Sequence, residues 1–204
     1  MHAFSPVDRV TISVCFERGF ELFKKNVGPF VLWGLALAGL NWLIGAMSAG
    51  VGLVVASLVT FPASLGLYAA VYATANDQPV DAGVLFSGFR RPAAYLFGVM
   101  FVVALILGAM LFVLPAIYLL LALVWTQCYM QGRDKGAVAA FVASISLFNR
   151  NLGFCLLLAV VSYVLYSVGT VTFALAALTT PMRVVIEVVG FELLLAQAKN
   201  SNLN

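Results

Sequence analysis

The chain has 204 residues, of which 63% are hydrophobic and only 9% charged, with a formal net charge of +3. A soluble domain carries roughly 25% charged residues, so this composition, with a mean hydropathy of +1.06, excludes a water-covered globule. A bilayer core about 30 Å thick takes about 20 apolar residues per helix, so six spans use up most of the chain and leave no soluble domain.

The first residues, Met1 to Asp8, lack the basic stretch and apolar run of a signal peptide, so the first span is expected to direct insertion. Ser5-Pro6-Val7-Asp8 reads as a helix start, with Ser as N-cap and Pro at the first helical position. Ile12, Cys15, Phe16, Gly19, Phe20 and Phe23 then recur at helical spacing, with Glu17, Arg18, Glu21, Lys24 and Lys25 on the other face. That pattern predicts an amphipathic helix lying in the headgroup plane. Leu22-Phe-Lys-Lys-Asn-Val-Gly28 closes it and turns the chain into the bilayer.

Span one is expected from Pro29 to Ser48, with Asn41 near mid-membrane facing other helices. Span two runs from Leu53 to about Ala75, kinked at Pro62 and carrying a stripe of Gly66, Ala70 and Thr74. Asp81 caps a short second surface helix that ends in Gly88-Phe-Arg-Arg-Pro92. Span three covers Ala93 to Leu114, and span four Pro115 to about Met130. A third amphipathic helix presents Val138, Phe141, Val142, Ile145 and Phe148, and ends in Leu147-Phe-Asn-Arg-Asn-Leu-Gly153, an echo of Leu22–Gly28. Span five continues to about Leu178. Thr179-Thr180-Pro181 supplies the cap and first residue of span six, which ends near Ala198.

The fold expected is therefore an all-α polytopic bundle, one domain over residues 1–204, with six transmembrane helices and three interfacial helices. Its units, a surface helix followed by a membrane hairpin, repeat at about 6–78, 79–134 and 135–199 as a pseudo-threefold array. Lys24, Lys25, Arg90, Arg91, Arg133, Lys135 and Arg150 all fall on one side of this six-span arrangement, with Arg9, Arg18 and Lys199. The positive-inside rule then predicts both termini in the cytoplasm of a bacterial inner membrane. These interfacial basic residues are expected to meet anionic headgroups.

Enzyme constellations are absent from the sequence: its single histidine is His2, so no Ser-His, Cys-His or His-metal set can be built. Cys15, Cys128 and Cys155 have no metal or redox spacing and are expected to stay reduced. Neither a phosphate loop nor a nucleic-acid patch is present, and no cofactor or metal is expected. The candidate functional groups lie in the spans. Arg183 and Glu187 are four apart and share a helix face, so they can pair. With Pro181 as the first helical residue, Glu187 is expected about 9 Å inside that end. Glu192 is a second possible functional carboxylate and faces elsewhere. Ser162, Tyr163, Tyr166 and Ser167 (with Thr170) form a polar stripe predicted to meet Asn41 in the bundle interior.

Gly88-Phe89, Leu114-Pro-Ala-Ile-Tyr118, Ala140-Phe-Val-Ala-Ser144 and Phe191-Glu-Leu193 on a proline-led last helix resemble poorly characterised bacterial six-helix membrane protein families. These include the membrane domain of some glycerophosphodiester phosphodiesterases. The chain departs from them in lacking a Trp and an Arg near the third surface helix. The resemblance implies the same architecture and carries no activity. Taken together, the sequence points to a non-enzymatic accessory, assembly or scaffold protein. It would bind a protein partner or its own copies through lipid-facing helices and the surface helices. The alternative is a small transporter or channel with a polar path near Asn41, Ser162, Tyr166 and Glu187.

Overall fold

The computed structural model of the chain describes residue 4, residues 10–110 and residues 113–201, and every regular element in it is helical. The predicted start at Ser5–Asp8 falls outside the described residues. The first helix, α1, spans Ile12–Lys25 and is capped by Thr11, whose hydroxyl accepts from the Val14 amide at 3.4 Å. Its buried side is Cys15, Gly19, Leu22 and Phe23. Phe20, expected on that side, is instead 51% exposed beneath the Lys24 ammonium. Burial pushes the Cys15 thiol up to about 11, which leaves it protonated and inert.

Asn26 ends α1 and starts α2 (Val27–Gly45), and Asn151 does the same between α9 (Ala137–Arg150) and α10 (Leu152–Val171). Both hold nearly the same backbone angles, φ −139°, ψ 46° at Asn26 and φ −129°, ψ 39° at Asn151. Each asparagine carbonyl accepts the first i→i−4 hydrogen bond of the following helix, from Phe30 at 3.2 Å and from Cys155 at 2.9 Å. The sequence echo is thus a conformational echo.

The expected kink at Pro62 takes a specific form. Helix α3 (Ala49–Val55) runs into a π-helical turn, Ala56–Thr60, and then into α4 (Phe61–Ala75) with Pro62 in its first turn. Proline cannot donate to the carbonyl one turn back, and the π turn directly precedes it, a second recognised source of a bend in a continuous helix. The stripe of Gly66, Ala70 and Thr74 is buried, as expected of close packing. Gly66 lies against the carbonyl of Leu85, and Gly88 against that of Pro62. These glycines let α5 (Ala82–Leu85) and the 3-10 turn Ser87–Arg90 rest directly on the α4 backbone. Asp81 caps α5, its Oδ1 accepting from the Val84 amide at 2.8 Å.

Helix α6 spans Pro92–Met110, and residues 111–112 lie outside the described residues. The predicted fourth span is broken: α7 (Val113–Ala122) and α8 (Thr126–Gly132) are joined by a turn at 123–125. The break leaves the Ala122 carbonyl without its helical donor, and the buried Ser144 hydroxyl of α9 donates to it at 2.6 Å. Helix α9 accordingly buries Ala137, Ala140, Ser144, Leu147 and Phe148. Val138 and Val142, on the predicted apolar face, are 57% and 60% exposed. Ala137, Ala140 and Ser144 on the buried face let the broken α7–α8 backbone come close.

The largest departure concerns the last two spans. Helix α10 stops at Val171, and α11 begins at Phe173 and continues to Ser201 with Pro181 inside it. Thr172, in an extended conformation, is the real cap: its Oγ1 accepts from the Leu175 amide at 3.2 Å. Neither Thr179 nor Thr180 starts the helix. The Ala177 carbonyl that Pro181 leaves undonated lies against Gly34 of α2. Among the described residues four helices are long and apolar enough to cross a membrane: Val27–Gly45, Gly50–Ala75, Leu152–Gly169 and Ala174–Lys199.

Two loops tie one end together. Asp77 follows α4 with φ 54° and Asp134 follows α8 with φ 47°, a left-handed position that Asp tolerates better than most residues. Asp77 accepts from Lys25 at 2.7 Å and Asp134 from Arg91 at 3.1 Å. The Lys25 hydrogen bond and charge hold the Asp77 carboxyl below its usual value, so the pair is intact at neutral pH and fails only as pH falls through that lowered value.

The close backbone approaches give a direct test. Gly66→Ala and Gly88→Ala should each cost about 1–3 kcal/mol through overpacking, read as a lower unfolding temperature in detergent. Gly153→Ala, which meets nothing within 4 Å, should be neutral or mildly stabilising. Equal effects at all three positions would contradict the packing described.

Candidate functional site

Helix α11 is the post around which the other helices pack. Because it begins at Phe173, its ionisable residues lie farther from its N-terminal end than the sequence suggested. At about 1.5 Å per residue, Arg183 is about 16 Å along the helix from Thr172, Glu187 about 22 Å and Glu192 about 30 Å. Arg183 is therefore too far from the Thr172 end for its side chain to reach across.

The two carboxylates meet one stripe of α4. Tyr68 donates to Glu187 Oε2 at 2.5 Å, and Tyr72, one turn on, donates to Glu192 Oε1 at 2.9 Å. Ascending order on both helices makes them parallel. Glu192 also takes Arg133, Nη2 to Oε2 at 2.8 Å and Nη1 to Oε1 at 3.1 Å, the paired geometry in which guanidinium and carboxylate bind best. Burial alone lowers the Arg133 pKa, but the hydrogen bond and charge of Glu192 outweigh it and the group stays firmly cationic. Gly132 makes room for this clamp, since a Cβ there would strike the Tyr72 ring and hydroxyl. Glu192 is thus a fastener between α11, α4 and the loop after α8.

Glu187 is held differently. Its Oε1 is 3.6 Å from Arg183 Nε, an ion pair at i,i+4 with side chains 3% and 30% exposed. That separation exceeds a hydrogen bond, and Arg183 Nε is buried without a hydrogen-bond partner. Both side chains border a cleft of about 670 Å³ between α7 and α10, whose other walls include Phe101, Leu120, Val124 and Val160. The rim is open: Ile117, Val160 and Tyr163 are 45%, 58% and 70% exposed. A smaller recess of about 220 Å³ reaches the same pair from the Tyr68 side, where Gln127 donates to Ser64 at 2.7 Å.

The predicted polar stripe is only partly internal. Ser162 is buried and lines the cleft, and Ser167 is half-buried. Tyr163 and Tyr166, expected in the interior, face outward, Tyr166 at 51% exposure. Asn41 is exposed as well and borders a separate cavity of about 150 Å³ with Tyr166 and Thr180. Helix phase explains the correction: α10 buries Cys155, Leu158, Ala159 and Ser162 against α11, which turns the tyrosines to its rim.

Of the basic residues, Lys25, Arg91 and Arg133 are committed to carboxylates, and Lys24 and Lys135 lie over Phe20 and Tyr129. Arg90 and Arg150 are exposed. Sequence reasoning missed Tyr68 and Tyr72. The available signal was two tyrosines four apart among the small residues of span two.

Among the described residues no three His, Cys, Asp or Glu side chains converge as metal ligands do. The three cysteines are free and buried. No protein-family model, curated protein or solved structure matches this chain.

Arg133→Ala should cost about 1–3 kcal/mol, below the 3–5 typical of a fully buried pair because Arg133 is 40% exposed. A cycle with Glu192→Gln should show coupling between the two, and additive losses would mean that the clamp does not form.

Proposed function

We propose that this chain is a six-span inner-membrane protein with both termini cytoplasmic, acting as an accessory or scaffold component. It binds membrane-borne partners through its laterally open cleft and its surface helices. The observation that carries this reading is the cleft itself. It opens sideways among exposed apolar side chains, where a bilayer places lipid or another helix, and it holds an intramembrane ion pair. Ionisable groups at such depth are expensive, and function is their default explanation.

The threefold repeat belongs to the same proposal, and three features support it. Two residues after Phe23, Phe89 and Phe148 come Lys25, Arg91 and Arg150, and the first two each pair with a left-handed Asp closing their own hairpin. Four residues before the same phenylalanines come Gly19, Leu85 and Ser144. These touch Ile186, Gly66 and Ala122 respectively, always on the second hairpin helix of the preceding unit. Such a cyclic handover closes the bundle as a ring of three.

A transporter is the second reading, favoured because Tyr166 lines both the Asn41 cavity and the Glu187 cleft. Purification in mild detergent with flux assays in liposomes separates the two. A stoichiometric protein partner without solute flux supports the accessory reading, and flux lost in Glu187→Gln supports transport. Topology is tested by single cysteines at Ser48 and Asp134: membrane-impermeant thiol reagents on intact cells should label the first and spare the second. The reverse pattern would overturn the orientation.

A further inference from the structure

We infer that the cleft beside Arg183 is a binding site for a long-chain carboxylic acid, its carboxyl group on the guanidinium and its tail along α7 and α10. The inference rests on the reading of the cleft as a place where membrane-borne matter enters. The guanidinium has five N–H donors in a rigid fork, and the chain leaves it poorly served. Glu187 stands 3.6 Å away, beyond hydrogen-bond reach, because Tyr68 holds its other oxygen. Arg183 Nε is buried without a hydrogen-bond partner. A planar acceptor with two oxygens matches this fork best.

The walls select the remainder of the ligand. Ile117, Leu120, Val124 and Val160 offer no hydrogen bond to an ester or a sugar, so the bulk of the ligand must be hydrocarbon. A volume of about 670 Å³ falls within the about 300–1,000 Å³ of small-molecule sites, which suits one acyl tail better than the two tails and glycerol of a phospholipid. Ser162 and Tyr166 hydroxyls border the same space and can donate to the carboxylate beside the guanidinium.

The test uses the full chain in detergent with a diazirine derivative of palmitic acid and its methyl ester, mapping labelled peptides by mass spectrometry. The acid should label the 117–124 and 159–166 segments at least about tenfold more than the ester, the ratio expected when a charge-assisted hydrogen bond is lost. Arg183→Gln should bring the two probes level, and Val160→Trp should block both. The comparison of acid with ester in the unaltered chain stands even if Arg183→Gln fails to fold. Equal labelling of the cleft by acid and ester overturns the inference while the cleft remains a site for membrane-borne chains. Labelling of other lipid-facing segments with none in the cleft overturns that reading too. Exclusion of the acid by a co-purifying helix crosslinked at Val160 would assign the cleft to a protein.

Discussion

One constraint shapes the packing around α11: a helix long and apolar enough to cross a membrane carries Arg183, Glu187 and Glu192. In a bilayer core each polar group must find its partner inside the protein. The partners come from α4, whose Tyr68 and Tyr72 reach the two carboxylates, and from Arg133 in the loop after α8. Bringing α4 alongside α11 explains the rest of its sequence. Its small residues admit close neighbours, a π turn directly precedes its Pro62, and Gly132 clears the space that Tyr72 occupies. A backbone group obeys the same rule: the Ala122 carbonyl, freed by a helix break, is met by Ser144.

The two carboxylates then take different roles from the same kind of tyrosine partner. Glu192 is closed on both oxygens by Arg133 and Tyr72 and joins three elements at one end of the molecule. Glu187 is closed on one side only, and its cation faces an open apolar cleft. A protein needing only stability could have satisfied Arg183 as fully as it satisfied Arg133. That asymmetry is the physical reason for placing function at the Arg183 side and structure at the Arg133 side.

Much of this was legible in the sequence, and the limits have identifiable causes. The Leu22–Gly28 and Leu147–Gly153 echo marked two helix junctions, at Asn26 and Asn151, with nearly the same backbone angles. Asp81 as a cap and the Arg183–Glu187 pairing followed from local spacing alone. The start of α11 did not, since Thr179-Thr180-Pro181 carries the stronger local start signal, proline at the first helical position, while Thr172 is the cap. The outward turn of Tyr163 and Tyr166 was equally hidden. A nearly all-apolar helix has no polar face to set its rotation, so its neighbours set it. Tyr68 and Tyr72 were invisible as partners because the contact joins residues more than a hundred positions apart.

The depth of the ion pair along α11 follows from the helix beginning at Phe173. Nitroxide depth measurements in bilayers test it directly, with labels at the exposed positions Val171, Leu178, Val164 and Val160. Relative accessibility to oxygen and to a polar nickel reagent should place Val171 near a headgroup layer. The other three should lie progressively deeper, with Val160 nearest the level of Glu187. A headgroup-depth reading at Leu178 and Val164 would place Arg183 at the surface and contradict the account.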